Sequence, residues 1–312
     1  MQYVAIFVIL VGCFLAGMMW MRVGLFHIAG EKPANWLKKV TNTPVKGMLA
    51  GILMTGILQS SSAVMVITIG FVSTKLLLFS QTIGIILGTN IGTTITLELI
   101  SFPLSKMIIP FSLIGIICIF FNKTLIRSFG YVFIGFACIF ASMKGFEKLA
   151  HPLMTIPAFE KIFFLLGDQL MLALFIGVIL TGIIQSSTVM TGIAMSFLSA
   201  DVFPLETGIA IMLGANIGTC ITALLASTGG GEEAKLTAFA HIWLNLAGVF
   251  LCLPFIHHLA YLCSLLSSVP STQLAHASVI FNIVSSLIVL PFATQFGNFI
   301  IKLHSKKTRP FL

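Results

Sequence analysis

Long apolar runs alternate with short polar segments along most of the chain. Runs of about 20 apolar residues are long enough to cross the roughly 30 Å hydrocarbon core of a bilayer. Five plain runs occur, at residues 3–28, 107–121, 128–146, 236–256 and 273–292. The run at 107–121 is shorter than the others. The pattern predicts an all-α polytopic membrane protein.

Between these plain runs lies a segment that the chain contains twice. Shifting the sequence by 126 positions places Gln-Ser-Ser-Ser (residues 59–62) on Gln-Ser-Ser-Thr (185–188). The same shift places Gly-Thr-Asn-Ile-Gly-Thr (88–93) on Gly-Ala-Asn-Ile-Gly-Thr (214–219). Of the 46 positions from 51 to 96, 20 are identical to their partners, and many of these are small or polar. We interpret the segment as a duplicated unit that builds one site.

Each copy contains a polar cluster in the middle of an apolar segment. Residues 45–74 as one helix would be about 45 Å long and would expose polar groups to lipid. Two half-helices that enter the membrane and return avoid this cost, so we predict re-entrant hairpins at 45–74 and 167–199. The segments 80–101 and 204–227 carry the glycine motifs. They are predicted to be single crossings by helices that unwind at these glycines.

Composition and charge agree with a membrane protein. Apolar residues make up 58% of the 312 residues and charged residues only 8%, against about 25% charged residues in soluble domains. The net charge of +8 forms no basic face, so it does not indicate nucleic-acid binding. With both hairpins returning to their starting face, 13 of the 17 Lys and Arg residues fall on one side. That side is predicted to be cytoplasmic.

This plan predicts a single transmembrane domain, residues 1–312, with seven crossings and two hairpins. Three crossings separate the hairpins, so the second hairpin must enter from the opposite face, and the repeats are inverted. Repeat one is placed at about 3–127, repeat two at about 128–256, and an extra helix with a basic tail at 257–312. The N-terminus is predicted to lie outside and the C-terminus in the cytoplasm.

The two hairpin tips have the chemistry of an anion site. The N-terminus of a helix presents unpaired N–H groups and a positive dipole end, and serine hydroxyls add donors. Apart from Lys75, the repeats contain no Lys or Arg, so a buried anion calls for a bound cation. Hydroxyls, amides and carbonyls suit a hard cation. The candidate cation ligands are Thr89, Asn90, Thr93, Thr94, Asn216 and Thr219.

Simpler interpretations accompany these. A cluster of Ser, Thr and Gly in a membrane helix often only permits close packing, although its recurrence in register with Gln and Asn favours a site. Glu98 is either a cation ligand or a proton carrier. His241 with Asn245, and His276 with Asn282, are expected to form hydrogen bonds between helices. The six cysteines show no metal-ligand or disulfide spacing, and no cofactor is expected.

The doubled Gln-Ser-Ser motif, followed by Gly-Xaa-Asn-Ile-Gly-Thr, resembles the type II sodium–phosphate cotransporter family in its short bacterial form. The resemblance implies that phosphate binds at the tips, and that Ser61 and Ser187 also contact sodium. The phosphate ligands so implied are Gln59, Ser60, Ser61, Ser62, Gln185, Ser186, Ser187 and Thr188. The chain departs from the family pattern at Thr188 and at Cys220, and it is expected to lack the regulatory domain that follows the membrane part in some bacterial relatives.

The resulting hypothesis is sodium-coupled transport of inorganic phosphate across the plasma membrane by alternating access, without enzymatic activity. One alternative keeps the architecture but carries sulfate, arsenate or a small organic anion. A membrane-embedded enzyme would need a nucleophile with a base or a metal cluster, and neither pattern occurs. A non-transporting subunit would leave the doubled polar tips unexplained. The sequence indicates neither an oligomeric state nor a direction of transport.

Overall fold

The computed structural model describes residues 2–30 and 42–305, and this part of the chain is helical without β-strands. Short 3₁₀ turns at Leu104–Met107, Leu253–Phe255 and Leu290–Phe292 connect some of the helices. The fifteen α-helices of this part are α1 (Gln2–Ala29), α2 (Pro44–Leu58), α3 (Ser61–Ser73), α4 (Phe79–Ser101), α5 (Ile108–Ile119), α6 (Thr124–Met154), α7 (Pro157–Asp168), α8 (Leu170–Ile184), α9 (Ser187–Ser199), α10 (Leu205–Gly218), α11 (Cys220–Ala226), α12 (Gly231–Cys252), α13 (Ile256–Leu266), α14 (Pro270–Val289) and α15 (Ala293–His304).

Six helical segments of the described chain are long and apolar enough to cross a membrane. They are α1, α4, α6, α10 with α11, α12 with α13, and α14 with α15. The run at 107–121, predicted as a seventh crossing, contains the 12-residue helix α5. The bent pair α7 and α8, with 116° between them, is apolar enough for a broken span or a re-entrant loop, and α8 belongs to the second hairpin described below. The prediction of an all-α polytopic membrane protein is confirmed.

The first predicted hairpin consists of α2 and α3, and its course follows from the way α2 packs on α4. Gly51 lies against Gly88, and Thr55 lies against Gly92. In each pair the two residues are 37 positions apart in the sequence. The two helices therefore run in the same direction, and the start of α2 lies level with the start of α4. The chain must therefore travel back through α3 before α4 begins. The hairpin returns to the face from which it entered.

The second copy follows the same course. Thr181 of α8 lies against Gly218 of α10, again 37 positions apart, so α9 must also travel back. Four residues other than glycine have positive φ in the described chain: Gln59, Lys75, Gln185 and Asp201. They form two pairs separated by the 126-residue offset. The duplicated sequences therefore adopt the same local backbone.

The prediction that the glycine motifs unwind the crossing helices is wrong for the first copy. Helix α4 is continuous from Phe79 to Ser101. In the second copy only Thr219 separates α10 from α11, and its φ of −64° and ψ of −22° stay close to helical values. The glycines allow close packing instead, because a Cβ on Gly88 would lie 2.1 Å from the Met48 carbonyl oxygen and one on Gly214 2.1 Å from that of Leu174.

The directions of the other helices follow from hydrogen bonds. Asn90 to Asn245 and Thr82 to Thr237 are both 155 positions apart, so α12 runs parallel to α4. Only four residues lie between the end of α11 and the start of α12. Cys220, at the start of α11, nevertheless contacts Asn245, which lies in the second half of α12. The segment of α10 and α11 is therefore antiparallel to α12, and so also antiparallel to α4.

Several structural details differ from the sequence prediction. Residues 151–159 lie between the crossing predicted at 128–146 and the hairpin predicted at 167–199, and they contain the end of α6 and the start of α7. The region after residue 256, predicted to hold one extra helix, contains the helices α13, α14 and α15. The loop at 30–44 and the basic tail lie largely outside the described residues.

Candidate functional site

The tip of the first hairpin is a two-residue break between α2 and α3. Gln59 is left-handed, with φ of 50° and ψ of 34°, and Ser60 is extended. The Ser60 hydroxyl accepts a hydrogen bond from the Ala63 N–H at 3.1 Å, as an N-cap does. The serine therefore starts α3, while Ser61 and Ser62 in the first turn are partly exposed.

The tip of the second hairpin is built in the same way. Gln185 is left-handed, with φ of 57° and ψ of 29°, and the Ser186 hydroxyl accepts from the Val189 N–H at 3.4 Å. Here the first turn of α9, with Ser187 and Thr188, is buried. Both tips thus present the positive end of a helix dipole together with hydroxyl groups.

The two glutamines of the tips are in different environments. Gln59 is only 4% exposed. Its amide nitrogen donates to the Gly56 carbonyl at 2.5 Å, and its side-chain oxygen accepts from the Thr96 hydroxyl at 2.6 Å. Gln185 is exposed, and its side chain makes no hydrogen bond with the described residues. In this conformation Gln59 is directed towards α4, whereas Gln185 is open.

Hydrogen bonds place the two tips at a similar depth. Thr96 and Gln59 are 37 positions apart, the same register that relates α2 to α4. By the same register, Thr222 on α11 is level with Gln185. The Thr222 hydroxyl lies 3.4 Å from the hydroxyl of Ser62 on the first tip. Because Thr222 is level with Gln185 and contacts Ser62, the two tips lie at a similar depth.

The predicted cation ligands on the crossing helices are mostly bonded within their own helices. The hydroxyls of Thr89, Thr93, Thr94 and Thr219 donate to carbonyls three or four residues earlier. Asn216 does the same with its amide nitrogen. None of these side chains makes a hydrogen bond to a tip residue within the described chain. Because α4 does not unwind, its backbone carbonyls are also occupied in the helix.

Asn90 bonds between helices, since its amide nitrogen donates to the side-chain oxygen of Asn245 at 3.1 Å. Asn245 in turn donates to Cys220 and to the His241 carbonyl. The interhelical bond predicted for Asn245 is confirmed, whereas the enclosed Nδ1 atom of His241, for which such a bond was also predicted, has no hydrogen-bond partner. By contrast, Asn282 donates only within its own helix, to Ser278.

Two threonines that were not among the predicted ligands have the orphaned oxygens that a cation would need. The hydroxyl oxygens of Thr55 and Thr181 are fully enclosed and have no hydrogen-bond partner. Both residues are 0% exposed, and they are partners under the 126-residue offset. Each lies one helical turn before the glutamine of its tip. Their identity between the two copies was the sequence signal that could have singled them out.

Arg22 was not among the predicted site residues, although it lies in the apolar run at 3–28. It belongs to α1, and its Nε atom donates to the carbonyl oxygen of Gln59 at 3.0 Å. The first tip therefore has a positively charged side chain beside it, supplied by α1, which precedes the duplicated segment 51–96. Its position on an apolar helix with one basic residue gave no indication of this contact.

Glu98 and His276 form a pair between α4 and α14. The Nδ1 atom of His276 lies 2.8 Å from a carboxylate oxygen of Glu98, and both side chains are partly buried. This confirms the interhelical hydrogen bond predicted for His276. The pair lies on the α14 side of α4, since Ser286 of α14 also contacts the Leu87 carbonyl of α4.

A cavity of about 280 Å³ with both polar and apolar walls lies at the C-terminal end of α4. Its walls include Ser101, Ser196 and Ser271, together with Lys144 and Glu147, which form an ion pair at 2.8 Å. Ser196 belongs to the returning helix of the second hairpin. The cavity gives this hairpin a polar surface outside the tip.

The apolar helices define a multi-span membrane protein, and the polar breaks at Gln59–Ser60 and Gln185–Ser186 occur in duplicate. The chain belongs to the Na⁺/Pi-cotransporter family, whose sequence profile matches residues 13–148 and 153–269. No solved structure gave a significant match.

Relatives in several organisms are similar to the chain. The "Uncharacterized protein YqeW" of Bacillus subtilis is 41% identical over 93% of this chain and 94% of that protein. The "Putative inorganic phosphate export protein YjbB" of Salmonella typhimurium is 26% identical over 89% of this chain, which spans about half (51%) of that relative. The "Sodium-dependent phosphate transport protein 2A" of Ovis aries is 43% identical over 23% of this chain and 12% of that protein.

Proposed function

We propose that this protein transports inorganic phosphate together with Na⁺ across the plasma membrane. The observation that carries the proposal is the pair of duplicated tips, Gln59–Ser60 and Gln185–Ser186, which present helix N-termini and hydroxyls at a similar depth. Helix N-termini favour anions, and phosphate is a tetrahedral anion that accepts from many donors. Family membership and the names of two relatives point to phosphate as the cargo.

We infer that the two repeats are inverted. Helices α2 and α4 run in the same direction, as do α8 and α10, whereas α4 is antiparallel to the segment of α10 and α11. The hairpins therefore enter from opposite faces. This arrangement supports alternating access, in which the tips are exposed to the two sides in turn. We propose that the protein is oriented in the membrane with its N-terminus outside and its C-terminus in the cytoplasm.

For phosphate, the proposed ligands are the hydroxyls and first-turn N–H groups of Ser61, Ser62, Ser187 and Thr188. Ser60 and Ser186 serve as N-caps and can still donate their O–H hydrogens. Gln185 is open to the cargo, while Gln59 must leave Thr96 before it can donate to phosphate.

For sodium, we propose that the orphaned oxygens of Thr55 and Thr181 are ligands. An enclosed hydroxyl oxygen without a partner is costly, and a hard cation that accepts oxygen ligands removes this cost. The ligands predicted from the sequence remain candidates. They would bind sodium through the lone pairs of their side-chain oxygens rather than through carbonyls of an unwound helix. These residues are Ser61, Ser187, Thr89, Asn90, Thr93, Thr94, Asn216 and Thr219.

The experiment that tests this function is uptake of radiolabelled phosphate by proteoliposomes containing the purified protein. We expect uptake with an inward Na⁺ gradient and little uptake when choline replaces Na⁺. Excess unlabelled sulfate, arsenate or a small organic anion is added in turn to identify the cargo. Uptake of labelled sulfate, arsenate or organic anion in the same vesicles, without uptake of labelled phosphate, would support the alternative cargo. Uptake that is equal in both salts would refute sodium coupling.

A matched pair of variants ties the activity to the tips. Ser61→Ala removes a hydroxyl from the first tip, whereas Ser112→Ala removes one from α5 that bonds only to the Ile108 carbonyl of its own helix. We expect loss of phosphate uptake in the first variant and normal uptake in the second. Family membership favours transport over a membrane-embedded enzyme, and the same preparation can be assayed for phosphate-ester hydrolysis.

A further inference from the structure

The side chain of Arg22 places a positive charge at the tip of the first hairpin. Arg22 lies seven residues before the end of α1 at Ala29, which is about 10 Å along the helix axis. The helix around it is apolar, and its neighbours Met21 and Gly24 are buried. Its Nε–H donates to the carbonyl of Gln59, the residue that forms the break between α2 and α3.

The contact with Gln59 leaves most of the guanidinium unused. Arginine has five N–H donors in a planar fork, and only one of them bonds to a residue in the described part of the chain. The acceptor is a carbonyl oxygen, which carries no net charge. No carboxylate of residues 2–30 and 42–305 forms an ion pair with Arg22. The charge at the tip is therefore not neutralised by these residues.

An unpaired cation among apolar helices is costly, and such residues in membrane proteins usually mark a substrate or ion pathway. The fork of arginine matches the geometry of two oxygens of a phosphate group. The carbonyl of Gln59 fixes the guanidinium beside Ser60, Ser61 and Ser62, where α3 presents its own N–H groups. These two kinds of donor converge on the same small region.

We propose that Arg22 is a ligand of the transported oxyanion at the first hairpin tip and supplies the fixed positive charge of the site. This inference rests on the proposed transport of phosphate and goes beyond it by naming a residue outside the duplicated segment 51–96 and its copy. The anion then binds closer to the first tip than to the second.

Among the described residues, no basic side chain hydrogen-bonds to the tip of the second hairpin. Under the 126-residue offset, Arg22 corresponds to Lys148 of α6. Lys148 is exposed, and its side chain makes no hydrogen bond with the described residues. The two basic residues therefore occupy corresponding positions of the two long helices, and only one of them contacts a tip. Lys148 provides a matched control for the loss of one positive charge.

A structural role for Arg22 gives a different expectation. A cation near the C-terminus of α2 also stabilises the dipole of that helix and caps the Gln59 carbonyl. In that case its removal would lower the stability and the amount of active transporter, but it would not alter the phosphate concentration needed for half-maximal transport. The KM for phosphate separates the two roles.

The test compares Arg22→Gln, Arg22→Lys and Lys148→Gln in proteoliposomes. Arg22→Gln keeps an amide donor without the charge, and Arg22→Lys keeps the charge without the fork. For the oxyanion ligand we expect the KM for phosphate to rise about 10- to 100-fold in Arg22→Gln, because a hydrogen bond to a charged group is lost. Arg22→Lys is expected to be intermediate and Lys148→Gln unchanged. The Na⁺ dependence at saturating phosphate should change little.

The outcomes separate this inference from the proposed function. An unchanged KM for phosphate in Arg22→Gln, with active wild-type protein, would overturn the role of Arg22 alone. If the wild-type protein does not transport phosphate, the proposed function fails. Protection against thermal unfolding by phosphate, sulfate and arsenate is then compared between wild type and Arg22→Lys, which retains charge and is the safer variant to fold. Protection that is weaker in the variant supports an anion ligand, and equal or absent protection overturns it.

Discussion

Replacing Thr55 or Thr181 with valine removes one buried oxygen and keeps the shape of the side chain. Both hydroxyls are enclosed and unpartnered. Thr68 on α3 is a matched control, because it is also 0% exposed but donates to the Val64 carbonyl at 2.8 Å. The Thr55 and Thr181 substitutions therefore remove a hydroxyl without a hydrogen-bond partner, and the Thr68 substitution removes one that makes a hydrogen bond.

The expected change in stability depends on the salt. Leaving a buried polar group unpaired costs about 1–3 kcal/mol, so without Na⁺ Thr55→Val should be as stable as the wild type or more stable by about 1 kcal/mol. Thr68→Val should lose about 1 kcal/mol, the net value of one hydrogen bond. A ligand at 100 times its Kd stabilises the folded protein by about 2.7 kcal/mol. The Thr55→Val variant should lose much of this gain.

The measurement is thermal unfolding in detergent, in NaCl and in choline chloride of equal ionic strength. In choline we expect the Thr55→Val and Thr181→Val proteins to unfold at or above the wild-type temperature, and in NaCl below it. Transport should require about tenfold more Na⁺ for half-maximal rate if about 1.4 kcal/mol of binding is lost. Equal destabilisation in both salts, as expected for Thr68→Val, would refute the assignment of these oxygens to sodium.

Three further substitutions test other parts of the structure. Ser187→Ala should lower phosphate transport at least tenfold while insertion and Tm stay normal, and normal uptake would remove the second tip from the proposed site. Gly88→Ala should destabilise the protein by at least about 1–3 kcal/mol, because its Cβ would lie 2.1 Å from a carbonyl oxygen of α2; Gly12→Ala, with nothing within 4 Å, is the control for thermal unfolding. Glu98→Gln keeps a hydrogen bond to its histidine partner on α14 but removes the charge. A changed pH profile of transport would identify Glu98 as a proton carrier, a changed Na⁺ affinity as a cation ligand, and no change as a structural pair.

The positions of the two breaks could be predicted from the sequence because they depend on local chemistry. A Gln-Ser pair in the middle of a 30-residue apolar segment is incompatible with one lipid-exposed helix. The structure places the breaks at Gln59–Ser60 and Gln185–Ser186, within the predicted hairpins. The exact repetition at 126 positions also predicted that both copies would share their backbone.

The role of the glycines could not be predicted in the same way. Glycine at the centre of a membrane helix is compatible both with unwinding and with close packing, and the residue type does not distinguish them. What decides is the neighbouring helix, since Gly88 and Gly92 face Gly51 and Thr55 across the contact of α2 and α4. These residues are 37 positions away, and only the folded hairpin brings them together.

Arg22 illustrates a different limit. Its counterpart in the repeat, Lys148, is also basic, so the sequence treats both as ordinary charges near the end of a long helix. Contact with the first tip depends on the packing of α1 against the hairpin. Helix α7 was missed because it is short and carries charges, so it lacks the long apolar run by which the crossings were identified.

The difference in hydrogen bonding between Gln59 and Gln185 has a consequence for the transport cycle. The two copies are identical at 20 of 46 positions and share their local backbone, but their glutamines differ: the side chain of Gln59 bonds to Thr96, and that of Gln185 makes no hydrogen bond with the described residues. Because the copies share sequence and backbone, we expect a second resting shape of similar energy in which they trade places. There, Gln185 would bind Thr222 and Gln59 would be released. Each transport cycle would then consist of an exchange between these two arrangements. The glutamine without a hydrogen bond would indicate the side of the membrane to which the site is open.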